Sequence, residues 1–264
     1  MRDPEYISKT KLEIFASLDT PKMRRRRGLF PVEGVKSISD ISDVFKLETL
    51  LVDASAWDLS DEENALYQLV RNVSIEKTRL IRAADMKRLS SFSTPPSAVA
   101  IFAMPEEPEN DGTENPEPGK LYLLLDGVRD PGNFGTIIRT ADWFGVHTVF
   151  ASHDCADVFN QKVIQATMGS LAHVKIVYTD LSRLVAANSG IPLFGTLLEG
   201  ENIYHAELPA GGFIAMGNEG KGLSEDMRRL VSRPLTIPPF DSIHGESLNV
   251  GAATAVVLSE FRRR

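Results

Sequence analysis

From residue 120 onward, short apolar runs alternate with helix-length amphipathic segments, and this pattern sets the fold expectation. LYLLLD precedes a helical stretch from Asn133 to Phe144, HTVFAS one from Asn160 to Leu171, and VKIVY one from Leu181 to Asn188. PLFGTL, GFIAMG and PLTI follow, and a last helix begins near Ser247. Runs this short and this apolar are strands buried on both faces, so the pattern predicts a mostly parallel sheet covered by helices. The ligands of such sheets bind at the carboxyl ends of the strands. Residues 1–103 mix helical stretches (Ser8 to Leu18, Asp61 to Asn72, Asp85 to Leu89) with β-like runs such as LETLLVD and SAVAIFA, the pattern of a small α/β domain. Between the two halves, residues 104–119 combine four prolines, two glycines and six acids with no apolar period, and read as an extended acidic linker.

At 264 residues with 42% hydrophobic and 25% charged positions, the chain can bury a core, and two domains are expected. The net charge of −7 argues at first against a nucleic-acid partner. Its placement reverses that, because residues 104–119 hold six of the acids and none of the 29 Lys and Arg. The rest is nearly neutral, with basic clusters at Lys22 to Arg27 and Arg262 to Arg264. Cys155 is the only cysteine, which rules out an intrachain disulfide and a multi-cysteine zinc site and fits a reducing, cytoplasmic setting. The longest apolar-rich run, near Leu248 to Leu258, is too short to span a bilayer, and the first residues lack the apolar core of a signal peptide. His147, His153, His173, His205 and His244 have no metal-ligand spacing, so no metal is expected.

Three loops at strand ends carry the candidate chemistry. DGVRDPGNFGTIIRTA, residues 126–141, is an Asp/Pro/Gly turn opening a helix; by itself it is explained as a connection with Asn133 as cap and Arg139 in solvent. GNEGKGLS, residues 217–224, is a Gly-rich turn before a helix capped by Ser224, without P-loop spacing or the G-x-G-x-x-G order. IPPFDSIHGESLNVGAA leads into the final helix, where Ser247 or Asn249 can serve as cap.

Taken in order within one half of the chain, the three loops resemble the motifs of the SpoU/TrmH family of RNA ribose methyltransferases. Asn133 and Arg139 match its first motif, Gly217 to Leu223 its second, and Ile237, Pro238 and Ser247 to Val250 its third. The resemblance implies a trefoil-knotted sheet enclosing S-adenosylmethionine, a homodimer formed through the catalytic domain, and methylation of a ribose 2′-hydroxyl. It further implies that Asn133, Arg139, Glu219, Ser247 and Asn249 form the catalytic surface, while Gly217, Ile237 and Leu248 hold the cofactor through the backbone and Thr196 borders its pocket. Arg139 suits the ribose and its phosphate through a rigid fork of donors, with phosphate or water accepting the proton, since an arginine is very hard to deprotonate. The stretch from Ile237 to Ser247 is about two residues longer than the family pattern, which leaves the contacts of Phe240 to His244 open.

The run RRRRGLFPVEGVKSI, with Arg26, Gly28, Phe30, Glu33 and Gly34 in a familiar order, resembles the substrate-binding domain found ahead of such catalytic domains. Lys9, Arg24, Arg25 and Arg26 are the expected RNA contacts, the alternative being a solvated basic cluster. Ribosomal RNA is favoured over tRNA as target. Two other readings compete: an RNA-binding protein of the same fold without catalysis, and a nucleotide-dependent dehydrogenase, which would need a glycine fingerprint where DGVRDPGNFG stands.

Overall fold

The structure is a computed structural model that describes residues 4–58, 63–73, 75–105, 116–241 and 247–263. It divides into two compact units, Met1–Glu107 with Phe159–Ala172, and Pro108–Val158 with His173–Arg264.

In the first unit the chain runs α1 (Lys9–Ala16), α2 (Pro21–Arg27), β1 (Leu29–Glu33), α3 (Val35–Ile41), β2 (Leu47–Asp53), α4 (Ala65–Val73), β3 (Thr78–Ile81), α5 (Ala83–Leu89) and β4 (Ala98–Ala103). The sheet order is β1-β4-β2-β3, antiparallel except for the β2–β3 pair. Two of these strands escape a reading by apolar period. β1 carries Pro31, which lacks a ladder donor, and it survives because it lies at an edge and pairs only with β4. β3 is four residues long, with two of them polar. Leu12, Phe15, Leu18, Leu51, Ile81 and Met86 are among the residues that build the core on one side of this sheet.

The second unit continues with β5 (Leu121–Asp126), α6 (Pro131–Trp143) and β6 (Thr148–Ala151). Helix α7 (Gln161–Thr167) follows, then β7 (Lys175–Tyr178), α8 (Leu181–Ala187), β8 (Leu193–Asn202), β9 (Gly212–Gly217), α9 (Glu225–Leu230), β10 (Arg233–Thr236) and α10 (Val250–Arg262). Its six strands pair in the order β10-β8-β9-β5-β6-β7, and every pair is parallel, the sheet expected from the alternating pattern. Alternate strand residues serve opposite faces. Tyr122, Leu124, Phe150, Phe213 and Ala215 pack with Leu181, Leu184 and Met227 of α8 and α9. On the other face Phe194 meets Phe261 of α10 edge-on, with ring centroids 5.0 Å apart, and α10 packs on α6.

Helix α7 belongs to the first unit, although the sequence reading places it in the 120–264 domain. Aromatic packing accounts for this. The ring of Phe159 lies 4.6 Å from that of Phe30 and 6.4 Å from that of Phe45, and Gln161 donates to the Leu89 carbonyl. The helix stops where Met168 and Gly169 adopt positive φ; a Cβ on Gly169 would sit 2.8 Å from that of Asp40. Of the acidic segment, residues 106–115 lie outside the described residues, as do residues 242–246 of the stretch before α10.

Candidate functional site

The middle of β8, the carboxyl ends of β9 and β10, the loop after β9 and the amino end of α10 enclose a cavity of about 350 Å³. Its walls include Thr196, Gly217, Glu219, Ile237, Ser247 and Leu248, so all four residues expected to hold a cofactor and two of the five expected at the catalytic surface meet here.

Why the first loop works is decided by its cap. Asp130, not Asn133, caps α6, accepting from the Asn133 amide at 2.8 Å, and Pro131 starts the helix with its φ already set. That leaves the Asn133 side chain available. Its Nδ2 donates to Glu219 Oε1 at 3.0 Å, and its Oδ1 accepts from Asn249 Nδ2 at 2.9 Å. Asn249 does two jobs, because its Oδ1 also accepts from the Gly251 and Ala252 amides and so caps α10. One residue from each loop thus enters a single hydrogen-bonded line, Asn249 to Asn133 to Glu219.

The second loop is closed by backbone. Asn218 and Gly222 exchange N–H···O bonds of 3.0 and 2.8 Å, and a Cβ on Gly217 would lie 2.3 Å from the Gly222 carbonyl carbon and the Leu223 nitrogen. Only glycine allows that approach. Asn218, which sequence reasoning did not single out, holds the loop in place: its Oδ1 accepts from the Gly220 and Lys221 amides, and its Nδ2 donates to the Gly127 carbonyl at 2.8 Å. An asparagine between glycines is a standard turn signal and could have marked it. Asp126 adds a further tie, accepting from the Ser224 amide at 2.6 Å and so joining the end of β5 to the start of α9.

A network of charges braces the first loop from the β6 side. Gly127 donates its N–H to Ser152 Oγ at 2.9 Å, Ser152 donates to Asp154 at 2.7 Å, and Arg129 pairs with Asp154 at 2.7 Å. These donors hold the Asp154 carboxyl below its ordinary value, the Ser152 hydroxyl contributing most and the Arg129 hydrogen bond next. Burial pushes the nearby Cys155 thiol up, which makes it a poor nucleophile.

The remaining expected residues are placed less uniformly. Thr196 lines the cavity with its hydroxyl donated to the Ala215 carbonyl at 3.1 Å. Arg139 does not line the cavity. It is exposed on α6 in a stripe with Gly132, Thr136 and Trp143, and among the described residues its guanidinium has no partner. In the first unit Lys9, Arg25 and Arg26 are exposed, whereas Arg24 is 1% exposed and donates to the carbonyls of Leu18 and Asp19, both at 2.9 Å. Arg24 is therefore withdrawn from the expected RNA contacts: it ties α2 to the turn before it. Among the described residues no group of three or more His, Cys, Asp or Glu is placed to hold a metal, and no helix is long and apolar enough to cross a membrane.

Comparison with known proteins bears on this arrangement. Residues 120–259 match the SpoU rRNA Methylase family. The chain is 35% identical over 190 residues to the 23S rRNA (guanosine-2′-O-)-methyltransferase RlmB of Neisseria meningitidis, covering 69% of this chain and 75% of that protein. It is 31% identical over 260 residues to the 23S rRNA (uridine(2479)-2′-O)-methyltransferase of Streptomyces viridochromogenes, covering 94% and 88%. Among solved structures, the SpoU methyltransferase AviRb of that organism in complex with AdoMet superposes with a TM-score of 0.82 at 27% identity, covering 97% of this chain and 98% of that one. With its parallel sheet, its three loops and its match across residues 120–259, the chain belongs to the SpoU rRNA methylase family.

Proposed function

We propose that this protein transfers the methyl group of S-adenosylmethionine to the ribose 2′-hydroxyl of a nucleotide in ribosomal RNA. The observation that carries the reading is the Asn249–Asn133–Glu219 line, which gathers one polar side chain from each loop beside the cavity. Binding alone would not require that convergence.

The cavity suits the cofactor. Its volume lies at the lower end of the range for small-molecule sites, and its walls combine backbone of the Gly217–Gly222 loop with apolar side chains such as Leu197, Leu235 and Leu248. Backbone groups of Gly217, Ile237 and Leu248 would hold the adenine and methionine portions, and Thr196, its hydroxyl proton already given to Ala215, keeps lone pairs to accept a donor. When bound, S-adenosylmethionine supplies an electrophilic methyl, its S–CH₃ bond breaking as the O2′–CH₃ bond forms and a neutral thioether leaving. The chain's own task is to fix the hydroxyl in line and manage its proton. Glu219 and Ser247 line the cavity and Asn133 and Asn249 extend it, so these four orient the ribose. Arg139 holds the adjacent phosphate and polarises the hydroxyl, the proton passing to phosphate or water.

Arg139 shares its exposed stripe with Trp143, whose surface is 86% accessible, one helical turn away. A large aromatic so exposed beside a functional arginine supports a homodimer formed through the catalytic unit, with Arg139 at the junction of the two copies. In this reading the C-terminal part of the sheet domain threads through a loop to form the family's trefoil knot. The basic face of the first unit, including Lys9, Arg25 and Arg26, engages RNA phosphates, and the protein acts in the cytoplasm, where its ribosomal substrate is assembled.

Ribose-methylation mapping of total RNA from cells with and without the protein tests the function. Loss of one 2′-O-methyl site in ribosomal RNA is expected; a site lost in tRNA would redirect the substrate, and an unchanged map would sink the activity. Sedimentation of the wild type and of Trp143→Glu tests the dimer, and a wild-type monomer at micromolar concentration would overturn it.

A further inference from the structure

At the opposite, amino end of the same sheet lies a second cavity, of about 420 Å³, which the reaction does not use. Lys120, His147, Lys175 and Arg262 line it, over a floor that includes the buried rings of Tyr122 and Phe150. Glu117 is the one carboxylate among the lining residues, and it is paired with Lys120 at 2.7 Å. The described lining residues thus bring three permanent cations and one carboxylate together, in a chain whose net charge is −7. The arginine is held in place: Nε donates to the Phe144 carbonyl at 2.9 Å and Nη2 to the Gly145 carbonyl at 3.2 Å, at the end of α6, while Nη1 has no partner among the described residues. A fixed guanidinium beside a lysine and an imidazole in a concave wall is a donor set suited to phosphate oxygens.

We propose that this cavity binds a phosphate group, and that the phosphate belongs to the backbone of the substrate RNA. β5, which starts at this cavity, pairs in parallel with β9, which ends at the other, over six residues, about 20 Å at the strand rise, so an RNA bound at both ends is gripped at two points of its shape. The phosphate site stands on the local geometry; only the choice of RNA as its source rests on the methyltransferase reading.

The test uses the full-length protein and its Lys175→Glu variant, with Lys175→Gln as a milder change should the first perturb folding. Filter binding of a ribosomal RNA transcript is measured across a salt series. The variant is expected to lose about tenfold or more in affinity at 0.1 M salt, and the slope of log K against log salt is expected to fall by about one or two. Calorimetric affinity for S-adenosylmethionine should not change. In parallel, inorganic phosphate is titrated while the His147 imidazole is followed by NMR, with a shift expected in the wild type and none in the variant. A His147 response with wild-type RNA binding in the variant would assign the cavity to a free phosphate compound. Unchanged RNA binding together with a silent His147 would overturn the proposal. Reduced binding of a transcript that is never methylated would instead count against the enzymatic reading and leave the phosphate site standing.

Discussion

Gly217 and Gly220 belong to one loop, three residues apart, and the structure assigns them opposite tolerances. A Cβ on Gly217 would meet the Gly222 carbonyl carbon and the Leu223 nitrogen at 2.3 Å, both backbone atoms that cannot swing aside. Restoring ordinary contact needs a separation of about 1 Å, and overpacking of that kind costs about 1–3 kcal/mol. The same displacement lengthens the paired Asn218–Gly222 hydrogen bonds of 3.0 and 2.8 Å beyond bonding range, adding about 1 kcal/mol for each. Gly217→Ala should therefore destabilise the second unit by about 3–5 kcal/mol, which for a domain of this size lowers Tm by about 6–20 °C. Because the moving segment is also a wall of the cavity proposed for the cofactor, affinity for S-adenosylmethionine should fall as well, a loss of about 2 kcal/mol corresponding to roughly 30-fold in Kd.

At Gly220 the nearest atom to an added Cβ is Asn218 Oδ1 at 3.8 Å, an ordinary contact, and its φ is not positive. Gly220→Ala should match the wild type in both measurements. Differential scanning fluorimetry and isothermal calorimetry on the three proteins decide the matter. Equal melting and equal cofactor affinity in Gly217→Ala would refute the reasoning, and a comparable loss in Gly220→Ala would show that the loop resists any side chain rather than one particular approach.

Other substitutions separate roles that the sequence alone merges. Arg139→Ala should lower kcat by about 10²-fold or more, the scale of one lost transition-state donor, while leaving the Kd for S-adenosylmethionine unchanged; near wild-type turnover would remove Arg139 from the reaction. Arg24→Met leaves two carbonyls without their buried donor and should cost about 2–4 kcal/mol of stability, whereas Arg25→Ala should weaken RNA binding with no change in Tm. A reversal of those two phenotypes would restore Arg24 to the RNA-binding face. For Asp154 the folded carboxyl titrates below its ordinary value of 3.8, so its contribution is present above that value and drains as pH falls through the lowered one. Its side chain is 52% exposed and screened by solvent, so Asp154→Asn should lower Tm by no more than about 2–4 °C at pH 7, with the gap narrowing as pH falls below the ordinary carboxyl value. A gap that stays unchanged however far the pH falls below the ordinary carboxyl value would show that ionisation has no part in it.

These contrasts also explain which features were legible in the sequence. The parallel sheet was, because strands buried on both faces write themselves as unbroken apolar runs; LYLLLD and GFIAMG coincide with β5 and β9. β1 was not, since at an edge Pro31 and Glu33 are tolerated and the apolar run is lost. Helix α7 was legible as a helix but not as to its unit, because period reveals that a face is buried and not what buries it; that depended on Phe159 reaching Phe30 and Phe45. The same limit governs charge. RRRR reads as four equivalent cations, yet a helix turns about 100° per residue, so four in succession cannot all face water. The one that turns inward, Arg24, becomes a structural tie. In the site the loops were legible and the connections were not. Asn133 was open to reading as a cap, and only once Asp130 takes that place is its amide released to join Glu219 to Asn249. Arg139 shows the converse, a residue placed by motif at the reaction and by the single chain outside the cavity. The proposed dimer would cover the stripe that Arg139 shares with Trp143, so on that proposal the two variants should fail together: Trp143→Glu should reduce kcat as much as Arg139→Ala does, and a fully active Trp143→Glu monomer would break that link.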